Sequence, residues 1–397
     1  MPGESLWGLD KSLWVSTDSA LRTAPPGTPP PQHMAIAILV RLWPRRTLCV
    51  ADSPIYLSSC CLPFARYLCR IGTLCNLRKR VLGFILVLLA GGFFCIQNII
   101  VRVLFNSYEL FGGLQTGGFV EATLQNSFLL LLMRMAVGVP LMAAMAPALY
   151  QPTWRDIAQL RGRRRWQDLG LVLLGGVLMF LYLALLYLSI GRIAAGVALT
   201  LFFTFPVFTA LFSWYWFGVR PSRFRWQVMG VILLGSALTV PRTGAAAATD
   251  WVGVMTGIAA GVTYALYTVT AQKSFERVHP FPFTWISFAI TLVLSAVAVA
   301  LWGGDLSGLP WGPMWIGGLL SAIATFAGHT LNNLGIRQIG ATAASMLGAA
   351  NPALTALLAL LALQEQLSWV QGAGVVLVTL CVALLGQQSR TAAAGKK

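Results

Sequence analysis

Residues 336–369 read IRQIGATAASMLGAANPALTALLALLALQEQLSW and hold the most informative pattern in the sequence. The uncharged part, residues 341–363, is long enough to cross the ~30 Å hydrocarbon core of a bilayer as a helix. Small residues and a proline recur at every fourth position, and they are Gly340, Ala344, Gly348, Pro352 and Ala356. A face of small residues lets another helix backbone approach closely, as helices in lipid do. The pattern therefore predicts a packed transmembrane helix.

Asn351 and Pro352 lie in the middle of this helix. Proline lacks a backbone donor and leaves the carbonyl of Gly348 without its helical partner. In a membrane, such a group is tolerated where neighbours or a polar cavity satisfy it. Two interpretations stay open: a helix break beside a solute cavity, or a kink in a packed helix.

A second copy of the pattern lies 146 residues earlier, around Pro206. The identical pairs are Leu188/Leu334, Ile190/Ile336, Ile193/Ile339, Ala195/Ala341, Ala198/Ala344, Pro206/Pro352, Thr209/Thr355, Ala210/Ala356 and Leu211/Leu357. Similarity of this length without a gap indicates an internal duplication. Matching proline-interrupted segments in two halves are typical of the substrate site of secondary transporters.

The composition indicates an integral membrane protein. Of 397 residues, 57% are hydrophobic and 10% are charged, and the mean hydropathy is +0.73, whereas soluble domains carry roughly a quarter of charged residues. Hydropathy predicts ten spans, at residues 81–104, 127–149, 169–189, 194–217, 226–240, 251–274, 283–302, 314–335, 341–363 and 369–385. Five spans per copy is an odd number, so the second copy enters the membrane from the opposite side. The expected fold is all-α, with ten transmembrane helices as two inverted five-helix repeats.

The expected domains are an N-terminal extension at residues 1–77, the two repeats at 78–240 and 251–386, and a cytoplasmic tail at 387–397. The extension contains the proline-rich segment APPGTPPPQ and no apolar run long enough to span. A disordered or peripheral extension, a start site placed too far upstream and an organelle transit segment all remain open.

The net charge of +16 comes from cations in short clusters between apolar runs. Clusters of this kind orient helices across a membrane and contact anionic lipid. Nucleic acid is not an expected partner. The loops predicted to be cytoplasmic contain Arg155, Arg161, Arg163, Arg164, Arg165, Arg220, Arg223, Arg225, Lys273, Arg277 and Arg337, whereas the opposite loops contain Arg192 and Arg242. This bias predicts that both termini are cytoplasmic. The expected location is a plasma or inner membrane rather than an organelle envelope.

The seven cysteines form no CxxC pair, and no histidine lies at ligand spacing from them. A metal site, another cofactor or a disulfide framework is therefore not expected. The sequence also lacks HExxH and other catalytic clusters, so no catalytic residue is predicted.

The segments YLALLYLSIGRIAAGVALTLFFTFPVFTALF and LNNLGIRQIGATAASMLGAANPALTALLALLALQEQLSWVQGAG carry a family resemblance, together with Arg134 and GVTYALYTV in the sixth span. Over residues 81–386 the chain resembles the EamA-like, ten-helix branch of the drug/metabolite transporter superfamily. The resemblance implies movement of small metabolites, amino acids or drugs, often as export. One departure is that Glu365 follows the second proline helix, whereas Val219 and Arg220 stand at the first-half position where the family commonly has a glutamate.

Placing an ionisable residue inside a membrane helix costs free energy, so such residues are candidates for a functional role. Arg134, ~10 Å into the second predicted span, suits a substrate carboxylate or phosphate, or else bonds with backbone carbonyls. His329, Asn332 and Asn333 share one face of the eighth span and predict either cavity contacts and proton relay or interhelical hydrogen bonds. Further candidate substrate-binding residues are Gln97, Asn98, Thr200, Tyr264, Tyr267 and Asn351, with Pro206 and Pro352 as helix breaks.

All twelve acidic residues lie in the extension, the loops or the helix ends, so no mid-membrane carboxylate is expected to couple transport to an ion. If coupling exists, His329 or an acid at a helix end, such as Glu121 or Glu365, would carry it, and facilitated exchange or uniport is equally open. The sequence predicts an alternating-access exporter of small metabolites such as amino acids or related polar solutes. A membrane-embedded enzyme and a non-transporting scaffold are the alternatives. The expected partners are a small-molecule solute and the lipid bilayer, and the oligomeric state is not indicated.

Overall fold

The computed structural model describes residues 62–110, 113–121, 123–160, 162, 166–193, 195–218, 220–239, 250–302, 308–363 and 368–394. The first-half elements are α1 (Leu62–Phe105), β1 (Ser107–Leu110), β2 (Leu114–Gly117), α2 (Leu124–Leu149), α3 (Thr153–Leu160), α4 (Trp166–Ile190), α5 (Ala195–Phe202), α6 (Phe205–Phe217) and α7 (Arg223–Thr239). The second-half elements are α8 (Trp251–Ser274), α9 (Pro280–Trp302), α10 (Trp311–Ile339), α11 (Ala341–Gly348), α12 (Asn351–Ala362) and α13 (Trp369–Ala394).

Within these residues, eight helical segments are long and apolar enough to cross a membrane. They are Arg80–Phe105, Leu124–Leu149, Trp166–Ile190, Val197–Phe217, Trp251–Ser274, Pro280–Leu301, Trp311–Ile339 and Ala341–Ala362. A shorter apolar helix, Trp369–Leu384, follows, and α7 occupies the fifth predicted span with 17 residues. The expectation of an all-α membrane protein is confirmed.

Three features lie outside the predicted spans. Helix α1 begins at Leu62, well before residue 81, and residues 1–61 of the predicted extension lie outside the described part of the chain. The antiparallel hairpin β1–β2 pairs Ser107 with Gly117, and the eight-residue helix α3 follows α2.

Glycines on α8 allow close packing against the first half. A Cβ on Gly253 would lie 2.6 Å from Cγ2 of Ile193, and a Cβ on Gly261 would lie 2.8 Å from the backbone oxygen of Phe202. Gly257, between them, faces Ser189 and Leu201 in the same way. This four-residue glycine spacing brings the backbone of α8 against the end of α4 and against α5, the small-residue packing expected in lipid.

Two transmembrane segments are interrupted at their middle. Helix α5 ends at Phe202 and α6 begins at Phe205, so Pro206 lies in the first turn of α6, where proline costs no hydrogen bond. Helix α11 ends at Gly348 and α12 begins at Asn351, with Pro352 in the same position.

Hydroxyl groups satisfy part of the backbone at both breaks. Thr204 Oγ1 donates to the carbonyl of Leu201 at 2.6 Å, and Ser236 Oγ of α7 donates to the carbonyl of Ala349 at 2.7 Å. The two breaks also contact each other, because a Cβ on Gly348 would lie 3.6 Å from Cζ of Phe205.

Candidate functional site

Arg134 is a buried cation near the middle of α2. Thr123 caps this helix by accepting a hydrogen bond from the backbone N–H of Asn126 at 3.2 Å. With the helix beginning at Leu124, Arg134 lies about 15 Å along it at the usual rise, half of a ~30 Å hydrocarbon core. Its side chain is 5% exposed, and its Nε has no hydrogen-bond partner among the described residues.

No carboxylate among the described residues pairs with Arg134. The ion pairs there lie at helix ends instead, and they are Arg192–Asp250 at 3.2 Å, Lys273–Glu276 at 3.0 Å and Arg277–Asp168 at 3.4 Å. A charge in a low-dielectric interior is costly unless an opposite charge compensates it. Arg134 thus lies near the middle of its span with no carboxylate partner among the described residues.

His329 lies on α10, which packs against α2, the helix of Arg134. The charge of Arg134 lies within electrostatic range of both His329 and Tyr182. Two phenyl rings meet the imidazole at steep angles, Phe94 of α1 at 5.0 Å and Phe288 of α9 at 5.6 Å between centroids. These rings fix the orientation of His329, whose Nδ1 finds no hydrogen-bond partner in the described part of the chain.

Asn333, one helical turn beyond His329, links three helices. Its Nδ2 donates to Oγ1 of Thr284 on α9 at 2.8 Å and to the hydroxyl of Tyr267 on α8 at 3.2 Å. Its Oδ1 is buried and accepts no hydrogen bond from any residue that the structure describes. Asn333 is fully buried and Asn332 nearly so.

An aromatic group connects these polar residues to the break between α5 and α6. Ring centroids lie 4.9 Å apart for Tyr182 and Tyr264, 6.0 Å apart for Tyr264 and Tyr267, and 6.2 Å apart for Tyr182 and Tyr267. Phe202 and Phe205, on either side of the break, contact Tyr264 at 5.5 and 4.6 Å. We define the central cluster as Arg134, Tyr182, Tyr264, Tyr267, His329 and Asn333.

Other predicted site residues lie between α1 and α12. Asn98 Nδ2 donates to Thr355 Oγ1 at 3.4 Å, and the thiol of Cys95 donates to the carbonyl of Asn351 at 3.6 Å. A Cβ on Gly91 would lie 2.8 Å from Oδ1 of Asn351, so α1 approaches the second break closely. Gln97 on α1 and Thr200 on α5 are half-buried. The contacts of Asn98, Cys95 and Gly91 join α1 to α12, and none of them involves a residue of the central cluster.

Sequence reasoning missed Tyr182, Thr284, Phe94 and Phe288. Tyr182 opens the first copy of the repeat, so the tyrosine was visible there, but its contact with Tyr264 depends on the packing of α4 against α8. No group of three or more His, Cys, Asp or Glu residues that could hold a metal ion occurs within the described ranges.

A multi-pass helical bundle with a polar cluster buried at its centre and two interrupted spans has the architecture of a solute transporter. The chain belongs to the EamA-like transporter family, whose family model matches residues 119–240 and 251–387. It is therefore a membrane transporter, with a small-molecule solute and the lipid bilayer as its partners.

Named relatives are consistent with this membership. An uncharacterized transporter of Synechocystis sp. is 51% identical over 321 residues, which cover 80% of this chain and 96% of that protein. The threonine/homoserine exporter RhtA of Salmonella typhimurium is 25% identical, over 52% of this chain and 66% of that protein. RhtA of Escherichia coli is 27% identical, over 47% of this chain and 61% of that protein.

A solved crystal structure shares the fold with a TM-score of 0.61 at 18% identity, covering 79% of this chain and 98% of that chain.

Proposed function

We propose that this protein is an alternating-access exporter of small metabolites that carry a carboxylate, such as amino acids or related polar solutes, and that the central cluster binds them. The observation that carries the proposal is the buried Arg134 side chain, which no carboxylate of the described residues neutralises. A solute carboxylate in contact with its guanidinium supplies the missing charge. Arginine also matches a carboxylate geometrically, because its planar fork donates two parallel hydrogen bonds.

The rest of the central cluster suits the other end of an amino acid. Asn333 Oδ1 is an acceptor without a donor among the described residues, and the faces of Tyr182, Tyr264 and Tyr267 can attract an ammonium group by cation–π interaction. A side-chain acid is not required for such a contact. The relatives named as threonine/homoserine exporters support an amino-acid substrate and the outward direction.

For the transport cycle we propose ten spanning helices in two inverted repeats, residues 78–240 and 251–386, with both termini cytoplasmic. The interrupted pairs α5–α6 and α11–α12 are the equivalent elements of the two repeats, and the contact between Phe205 and Gly348 lies where they meet. In inverted-repeat transporters, one repeat rocks against the other and exposes a central site to each side in turn. Pro206 and Pro352 are then hinge positions as well as cavity neighbours.

The test is solute counterflow into proteoliposomes with radiolabelled threonine and homoserine, extended to neutral, acidic and basic amino acids. Arg134→Gln should lower the apparent affinity for zwitterionic and anionic solutes at least about tenfold, since loss of one partner of a buried charge pair costs about 2–5 kcal/mol. Arg134→Lys should keep part of the activity, because it retains the charge and loses the fork.

The matched control is Arg155→Gln, which removes an exposed arginine on α3 and should leave counterflow unchanged. Unaltered transport in Arg134→Gln would remove Arg134 from the site. Absence of counterflow for every amino acid by active wild-type protein would refute the substrate class.

A further inference from the structure

The end of α6 presents a run of exposed aromatic side chains. Trp214, Tyr215 and Trp216 are 42%, 84% and 53% exposed. The helix then stops at Gly218, whose φ of 66° is left-handed, and the chain turns into α7 at Arg223. Large aromatic rings with a polar edge are enriched at the level of lipid headgroups, where one end is apolar and the other is wet.

One arginine contacts these rings, and two more follow it closely along the chain. The guanidinium carbon of Arg220 lies 5.4 Å from the ring centroid of Trp214, and Arg223 and Arg225 occupy the first turn of α7. Ser222 fixes this turn, since its Oγ accepts from the backbone N–H of Arg225 at 3.3 Å.

The three guanidinium groups lack carboxylate partners in the part of the chain that the structure describes. The first turn of α7 has no acidic residue. The nearby Glu276 is engaged by Lys273 at 3.0 Å, and that lysine also lies 6.0 Å from the ring of Phe217. The positive charge of these three arginines is thus available to an external anion.

We propose that Trp214, Tyr215, Trp216, Arg220, Arg223 and Arg225 form a binding site for the headgroup phosphate of an anionic phospholipid. We call these six residues the aromatic–arginine patch. The arginines meet the phosphate by charge-assisted hydrogen bonds, and the rings lie along the glycerol and upper acyl region. A soluble phosphate would satisfy the cations and leave Tyr215 and Trp216 in water, which is why the patch fits a lipid better than a free anion.

The test uses the full chain purified in a neutral detergent, with phosphatidylglycerol and phosphatidylcholine of identical acyl chains. Native mass spectrometry counts bound lipids, and thermal unfolding reports stabilisation by the bound species. The triple variant Arg220→Gln, Arg223→Gln, Arg225→Gln should bind phosphatidylglycerol at least about tenfold more weakly than wild type and lose most of its thermal shift. Phosphatidylcholine should shift the wild type little.

The matched control is the triple variant Arg163→Gln, Arg164→Gln, Arg165→Gln, which removes the same charge from the connection between α3 and α4 and should keep wild-type lipid binding. Equal loss in both triple variants would show a general charge effect and overturn the site. Equal response to both lipids, or reproduction of the shift by inorganic phosphate, would also overturn it. If the patch triple variant does not fold, Arg220→Gln alone serves, with an expected threefold loss or more, and unchanged affinity rejects the proposal.

Discussion

The phenol ring of Tyr150 lies parallel to the imidazole of His279, with ring centroids 3.7 Å apart and planes 6° apart. Tyr150 directly follows α2, and His279 directly precedes α9. The Tyr150 hydroxyl donates to Oδ2 of Asp156 at 2.8 Å, and Nδ1 of His279 accepts from the backbone N–H of Phe281 at 3.3 Å. The stacked pair therefore joins a first-half connection to a second-half connection at one end of the bundle.

This stack should make stability depend on pH. Burial is the main cause that lowers the pKa of His279 to about 4; the charge of Arg337 acts in the same direction, and that of Asp156 opposes it. An unfolded histidine keeps a pKa near 6.5, so the unfolded state binds the proton more readily. The stabilisation is present above pH ~6.5 and is lost as the pH falls towards 4.

The measurement is the thermal midpoint between pH 7.5 and 4.5 for wild type and His279→Phe. Phenylalanine keeps a ring against Tyr150 and has no proton to bind, so part of the acid sensitivity should disappear. Burial and then the hydrogen bond to Asp156 raise the pKa of Tyr150, which keeps the phenol protonated throughout this range. Identical pH slopes in the two proteins would contradict the assignment.

Arg134→Met should make the solute-free protein more stable. The substitution replaces a buried cation, which no carboxylate of the described residues compensates, by a shorter, flexible apolar side chain, with an expected gain on the order of 1 kcal/mol or more. The same variant should lose any thermal stabilisation by added amino acids. Arg155→Met is the control for charge loss at an exposed position. A lower melting temperature for Arg134→Met would mean that Arg134 holds the fold together instead of binding solute.

Gly175→Ala should destabilise the bundle by roughly 1–3 kcal/mol through overpacking. A Cβ there would lie 2.5 Å from Cζ of Phe283, a fully buried ring of α9 that has little room to move. Gly170 lies on the same helix and has no neighbour within 4 Å of its Cβ position. Gly170→Ala should therefore stabilise by about 0.5–1 kcal/mol through helix propensity. Thermal midpoints in detergent compare the two, and equal effects would refute the packing argument.

The helices were predictable where an apolar run alone determines them. The predicted sixth span, residues 251–274, coincides with α8, because Asp250 caps its start and the charged pair Glu276 and Arg277 follows its end. The hairpin from Ser107 to Gly117 was not predictable in this way. Its strands are four residues long, and its position depends on tertiary contacts, such as that of Tyr108 with the cluster around Leu363.

The sequence predicted the charged residue of the site but not the contacts that its polar residues make. Arg134 stands out in the sequence because a cation interrupts an apolar run. Asn98 and Asn333 looked equivalent as polar residues within spans, yet Asn98 bonds with Thr355 on α12 while Asn333 bonds with Tyr267 in the central cluster. Only the packing of the helices distinguishes a residue that joins two helices, such as Asn98, from a residue of the central cluster, such as Asn333.

Ser222 and Ser368 offer a matched test of the inverted repeats. They are 146 residues apart, both are exposed, and each caps the following helix. Oγ of Ser222 accepts from the backbone N–H of Arg225 at 3.3 Å, and Oγ of Ser368 accepts from that of Gln371 at 3.4 Å. In two inverted repeats, these equivalent positions face opposite sides of the membrane.

With both termini cytoplasmic, a membrane-impermeant maleimide applied to intact cells should label Ser368→Cys. Ser222→Cys should react only after permeabilisation. Each substitution is made in a chain whose seven native cysteines are replaced by serine or alanine, and the unmodified cysteine-free chain is the control. Labelling of both positions from the same side would mean parallel repeats, whereas the reverse pattern would keep the inversion and place both termini outside. The positive-inside bias around Arg220, Arg223 and Arg225 favours the first pattern, because those cations adjoin Ser222 and the connection at Ser368 has none among its described residues.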